Sequence, residues 1–326
     1  MSPALLLPLT AVLSAAADPA PEAKPPAAPG TVVAVGYGGR RISSADGRTW
    51  GNLAEWAAKG GDDSNNLMSV AFGRGKFVAV GGGGWSRDTQ AGHILVSTDG
   101  KDWREVKKFP NRVNPVLFAD GRFVVGGPDK TLWWSEDGED WKPGAKVDYQ
   151  GWAFWFRQGA AGNGRFVMIG NSAPKQTEHW CLVTKDGGKI ESLRTDLPKI
   201  RDIAFGAGRF VIVGPDGLRM SSADGVTWEH EAKAAGENLG WVVWTGREFL
   251  AGGGKTTYAS ADGVKWEAWP TKVPCHVLVA DAAAGVWVGT SWPGQMWYSA
   301  DGKDWKKAPA LPPNGMNAAA RSPAAK

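Results

Sequence analysis

The chain has 326 residues, 43% of them hydrophobic and 21% charged. That balance excludes a disordered chain, and two cysteines exclude a disulfide-stapled miniprotein. A net charge of +4, with no run of five Lys or Arg, makes nucleic acid an unexpected partner.

Residues 4–17, ALLLPLTAVLSAAA, form a short apolar segment that ends in small residues before Asp18-Pro19. It falls short of the ~20 residues that span a bilayer. It fits an export signal, with Ala15 and Ala17 at the small-x-small cleavage site. We therefore expect a signal peptide over 1–17 and a Pro/Ala-rich tether over 18–30. The protein is expected to be secreted or periplasmic. No later segment is apolar enough to span a membrane.

From residue 31 one turn recurs: Ser/Thr-x-Asp-Gly-x-x-Trp. It appears at Ser44-Ala45-Asp46-Gly47…Trp50, Ser97…Asp99-Gly100…Trp103 and Ser135…Asp137-Gly138…Trp141. It returns at Ser222…Asp224-Gly225…Trp228, Ser260…Asp262-Gly263…Trp266 and Ser299…Asp301-Gly302…Trp305. A weaker copy, Thr184-Lys185-Asp186-Gly187, has Ile190 in place of the Trp. A period of about 40 residues in strand-rich sequence indicates propeller blades or a solenoid. Asp-Gly between β runs marks a hairpin, because Gly takes the positive φ that tight turns need. The Asp and Ser/Thr side chains bond nearby turn backbone. Asp46, Asp99, Asp137, Asp186, Asp224, Asp262 and Asp301 are thus read as turn residues, not catalytic acids.

A second pattern precedes each of these turns. Phe72-Gly73-Arg74-Gly75-Lys76-Phe77-Val78-Ala79-Val80-Gly81 is one copy, and Phe205-Gly206-Ala207-Gly208-Arg209-Phe210-Val211-Ile212-Val213-Gly214 is another. Each reads as strand, Gly turn, β-branched strand. With the Asp-Gly hairpin, every unit is a four-stranded propeller blade. The first unit starts at Thr31-Val32-Val33, already its second strand. Met316-Asn317-Ala318-Ala319 resembles the missing inner strand, so the C-terminus should close the first blade. The expected fold is an all-β, seven-bladed β-propeller over 31–321, with a tail at 322–326 and no open sheet edge between the termini.

These motifs resemble the Asp-box (BNR) repeat propellers, a group that includes sialidases and photosystem-II-assembly-factor-like propellers. Here Asp and Gly are adjacent, one residue shorter than the usual box. The resemblance implies a propeller fold. It also raises the sialidase site, in which arginines hold a carboxylate and a Tyr–Glu pair attacks. Tyr149 is the tyrosine in a loop able to reach the channel mouth. Asp62, Asp63, Asp148, Glu178 and Asp202 are the acids outside the turns, and their spacing shows no pair of the kind glycosidases need.

No cofactor motif and no metal-ligand spacing is present among His93, His179, His230 and His276. Asp62-Asp63-Ser64-Asn65-Asn66 reads as a solvated loop. Cys181 and Cys275 fall in the fourth and seventh blades and are expected to remain unpaired. Aligned inner strands place Asn114, Trp152, Arg201, Asp202, Trp241, His276 and Asn317 around the channel mouth. Trp85 and Trp292 sit in loops on the same face, as do the basic residues Arg104, Lys107, Lys108, Arg112, Lys142 and Lys146. Aromatic faces beside polar groups suit sugar rings or protein hot spots. The expected function is non-catalytic binding of a protein or glycan by a monomeric exported propeller. The alternative is a divergent secreted Asp-box glycoside hydrolase.

Overall fold

The computed structural model describes residues 30–56, 65–83, 91–150, 154–172 and 178–323. Residues 1–29, on which the expected signal and nearly all of the expected tether fall, and Asp62, Asp63, Trp85 and Trp152 lie outside them. Seven antiparallel sheets of four strands each follow one another along the chain. Each inner strand touches the next, and the last touches the first, so the sheets form a closed ring. The expected seven-bladed β-propeller is the fold.

Closure occurs where the termini meet. The inner strand of blade 1 is Met316–Arg321, paired antiparallel with Val32–Gly36 in the register Val32↔Arg321 to Val35↔Ala318. The Ser322 N–H donates to Thr31 O at 2.9 Å, and Arg321 pairs with Asp281 of blade 7. The first and last segments are thus stitched to each other and to the neighbouring blade.

Two kinds of hairpin share one face of the ring. In blades 2 to 5 the inner hairpins turn on residue pairs with both φ values positive: Arg74-Gly75, Asp120-Gly121, Asn163-Gly164 and Ala207-Gly208. Such turns match the right-handed twist of the strands they join. The Asp-Gly turns lie beside them and repeat one hydrogen-bond scheme. Ser44 Oγ accepts from Gly47 N at 2.9 Å, and Asp46 Oδ1 accepts from Arg48 N and Thr49 N at 2.8 and 3.0 Å. The same contacts recur at Asp99, Asp137, Asp224, Asp262 and Asp301. The weak fourth copy keeps them too, with Thr184 Oγ1 in the serine role. All seven Asp residues are therefore turn residues. The Trp that follows stands one residue ahead of its outer strand. In blades 1, 3 and 7 its indole N–H donates to the turn glycine's carbonyl, as Trp50 does to Gly47 O at 3.1 Å.

The core lies between blades. The second strands of blades 2 to 6 each carry a fully buried phenylalanine: Phe77, Phe123, Phe166, Phe210 and Phe249. In blades 2, 3, 5 and 6 an inner-strand aromatic stands beside it, as in Phe205–Phe210 at 4.7 Å and Trp244–Phe249 at 4.8 Å between ring centroids, whereas Ala161 faces Phe166 in blade 4. In blades 3, 5 and 6 that aromatic also covers a glycine of the preceding blade. A Cβ on Gly206 would stand 2.1 Å from the Trp244 ring, and one on Gly162 would stand 2.2 Å from Phe205. The glycine abundance thus has a packing cause as well as a turn cause.

Candidate functional site

Inner strands start, and outer strands end, on the face opposite the hairpins. On this face the repeat breaks down, and two separate cavities open. The larger, about 1150 Å³, spans blades 3 to 5. The smaller, about 570 Å³, lies across blades 6, 7 and 1.

The larger cleft is basic. Its lining includes Arg112, Lys130, Lys146, Arg157, Lys199 and Arg201, against Asp129 and Asp148 as the acids. Arg157 occupies the inner strand Phe154–Gly162, half-buried, with its guanidinium 4.8 Å from the centre of the Trp155 ring. Its Nε donates to Asn171 Oδ1 at 3.2 Å, and no described carboxylate pairs with it. Burial lowers its pKa, and the charge of Arg112 lowers it further. The charge of an anion entering the cleft would offset both effects. Lys199 and Arg201 are exposed at the start of blade 5 and likewise lack a described ion-pair partner. Arg112 is anchored through Nε to Gly82 O at 2.7 Å.

Tyr149 lines the same cleft, packed on Phe154 with ring centroids 5.2 Å apart. Its hydroxyl donates to Glu178. That hydrogen bond raises the Tyr149 pKa, with burial and the Glu178 charge adding to it. Sequence spacing could not find this pair, because the partners are brought together from different loops of the ring.

The residues expected on the channel-mouth face divide into four groups. Asn114 and Arg201 line the basic cleft, while Trp241, His276, Trp292 and Asn317 line the smaller cavity. Asp202 lines neither. Trp152 and Trp85 lie outside the described residues. Several of the polar side chains at these inner-strand starts clasp the next blade. Asn317 Nδ2 donates to Leu67 O at 2.8 Å, and the Asn114 amide donates to Arg157 O. Ser69 Oγ accepts from Val116 N at 3.2 Å. Asp202 Oδ2 accepts from Val242 N at 2.9 Å, and its Oδ1 accepts from Ile203 N at 2.9 Å. Burial outweighs those two donors and pushes the Asp202 pKa up to about 7. The aligned polar positions therefore stitch the ring from blade to blade.

Of the basic residues expected on this face, Arg112 and Lys146 line the cleft. Arg104 and Lys142 are instead at the hairpin face, next to Glu139 and Asp140 of an Asp-Gly turn. The outer strands run from the hairpin face to the cleft face, so their first residues lie at the far end. Cys181 and Cys275 are both buried and free, in blades 4 and 7. Among the described residues no cluster of His, Cys, Asp and Glu could hold a metal ion, and no helix is long and apolar enough to cross a membrane.

No family model matches the sequence, and no curated protein matches it. Solved structures do match the fold. YCF48 bound to D1 peptide shares 15% identity at a TM-score of 0.55, over 86% of this chain and 88% of that one. AztD from Citrobacter koseri shares 8% at a TM-score of 0.55, over 90% and 97%. Virginiamycin B lyase from Staphylococcus aureus shares 11% at 0.54, over 78% and 88%. Likeness at this level carries architecture and not activity. The chain is a seven-bladed β-propeller with Asp-box-like turns, its first blade closed by its C-terminal strand.

Proposed function

We propose that this propeller binds an acidic segment of a partner protein in the basic cleft across blades 3 to 5. The observation that carries the reading is Arg157: a half-buried guanidinium with no described counter-charge, in a cleft lined by six cationic side chains and two acidic ones. A carboxylate there gains charge-assisted hydrogen bonds and removes an uncompensated cation. The aromatic wall of Tyr149, Phe154 and Trp155 offers apolar contact beside the charges. A fold likeness to YCF48, solved with a D1 peptide, supports a peptide as occupant. Export, on the apolar segment 4–17, is part of the proposal.

The test is fluorescence anisotropy with a labelled Glu/Ser hexadecapeptide and a Lys/Ser counterpart. The acidic peptide is expected to bind, and to weaken as salt rises. Arg157→Ala should weaken it roughly tenfold or more, since a charged hydrogen bond contributes about 1.5–3 kcal/mol. Equal binding of both peptides, or an Arg157→Ala variant that binds like the parent, overturns the reading.

The Tyr149–Glu178 hydrogen bond beside Arg112, Arg157 and Arg201 favours a second reading, hydrolysis of an acidic sugar. Tyr149 would be the nucleophile and Glu178 its base. Release of 4-methylumbelliferone from a sialoside or glucuronide, lost in Tyr149→Phe, would support it. No release from either substrate removes it.

A further inference from the structure

The smaller cavity has a different chemistry from the cleft and no part in the reading above. Among the described residues its lining holds no carboxylate, and Lys272 is its one Lys or Arg. On its rim stands Trp292, 72% exposed, the most exposed of the large hydrophobic side chains among the described residues. An exposed indole offers apolar area that the apolar face of a ligand would remove from water. Trp292 is also held in place. Tyr37 meets it edge-on, with centroids 5.5 Å apart and planes at 80°. Both rings rest on Gly315, where a Cβ would come within 2.5 Å of Tyr37 and 2.7 Å of Trp292. Tyr37 N donates to Gly315 O at 2.9 Å, and buried Asn314 donates through Nδ2 to Tyr37 O at 3.0 Å. The platform therefore belongs to a fixed frame joining blades 7 and 1.

Neutral hydrogen-bonding groups line the same cavity. Thr290 is 7% exposed, and its hydroxyl has no hydrogen-bond partner in the structure. It stands opposite His276 across the sheet of blade 7. His276 is open to the cavity, yet the protein around it pushes its pKa down to about 4. At neutral pH it is an uncharged imidazole, with one nitrogen to donate and one to accept. The Thr290 hydroxyl oxygen is already buried and unpaired, a costly state that a hydrocarbon ligand would leave as it is. A ligand with hydroxyl groups would pair it. An anion finds one cation here against six in the cleft.

We propose that this second cavity is a carbohydrate subsite for one uncharged pyranose, with the apolar face of the sugar on Trp292 and its hydroxyls against Thr290 and His276. Aromatic platforms with a few convergent polar groups suit such a ring. The site is independent of the basic cleft, so the two readings stand or fall separately.

The test is saturation-transfer NMR on the full chain with methyl α-D-glucopyranoside, methyl β-D-galactopyranoside and N-acetylglucosamine, each alone. At least one sugar is expected to receive saturation. Trp292→Ala should weaken that sugar tenfold or more and leave acidic-peptide binding unchanged. Trp292 is exposed, so the variant should keep its Tm; Thr290→Val, which keeps the shape and removes the hydroxyl, should weaken the same sugar in a folded protein. Absence of transfer to all three sugars overturns the proposal. So does transfer that survives in Trp292→Ala.

Discussion

The two faces of the ring are built on opposite rules. The hairpin face repeats: seven turns use the same side-chain-to-backbone bonds, and even the copy without its Trp keeps them. The cleft face does not repeat: blades 3 to 5 present cations, and blades 6, 7 and 1 present aromatic rings and neutral hydrogen-bonding groups. A position that recurs in all seven blades serves the blade. A position where one blade differs from its neighbours is free to serve a ligand. Aligned polar residues need a further distinction, because Asn317, Ser69, Asn114 and Asp202 occupy the cleft face and yet bond the next blade's backbone.

The packing beneath the hairpin face should show the largest effect. Gly206→Ala puts a Cβ 2.1 Å from the Trp244 ring, which is held between blades 5 and 6. Overpacking of that kind should cost about 3 kcal/mol, with a Tm fall of several degrees. Gly208→Ala, two residues on, has a positive φ but nothing within 4 Å of the new Cβ, and should cost about 1 kcal/mol for its left-handed backbone. Equal losses in the two variants would mean that turn conformation, not blade contact, fixes these glycines.

Asp202 tests the clasp on the cleft face. Its folded pKa of about 7 stands above the ordinary 3.8 because burial penalises the charge. Between those values the folded protein holds the proton more tightly than the unfolded chain, so stability falls as pH rises from 4 to 7 and levels off above. Asp202→Asn keeps an acceptor for Val242 N–H and carries no charge. It should equal the parent near pH 4 and exceed it at pH 7.5. The gain should be about 1–2 kcal/mol, below the full pKa shift because the residue is only half-buried. Denaturation curves at both pH values decide this, and parallel curves across the range would reject the buried-charge account.

Most of the fold was legible because its signals are local. Asp-Gly turns lie within seven residues, and strand alternation within six, so repetition alone exposed the blades and the missing strand that Met316–Arg321 supplies. The two cavities were half legible. Alignment placed Arg201, Trp241 and His276 at strand starts on the face that carries the two cavities. It could not say that Arg201 opens into a basic cleft, or that the Asp202 carboxylate is tied to Val242, because those contacts cross blades. Tyr149–Glu178 crosses 29 residues of sequence, and Trp292–Tyr37 joins opposite ends of the chain. Nothing periodic reports such meetings.

The smallest effect should come from a single turn, which measures how far repetition spreads the load. Asp262 Oδ1 accepts from Val264 N at 2.8 Å and from Lys265 N at 2.9 Å, and those two bonds hold its pKa below the ordinary value. A carboxylate with a lowered folded pKa stabilises the protein above about pH 4, and that contribution is lost as pH falls through the folded value. Asp262→Ala removes both backbone bonds and the one from Ser260 Oγ at an exposed turn and should cost about 1 kcal/mol at pH 7, comparable to losing a helix cap. Asp262→Asn should recover much of that loss, since its amide oxygen still accepts, but should flatten the acid limb of the stability curve. Urea titrations of the three proteins at pH 3 and pH 7 separate the outcomes. If Asp262→Asn is as destabilised as Asp262→Ala at pH 7, charge and not acceptor geometry maintains the turn, and the shared hydrogen-bond scheme is not what makes the seven copies equivalent.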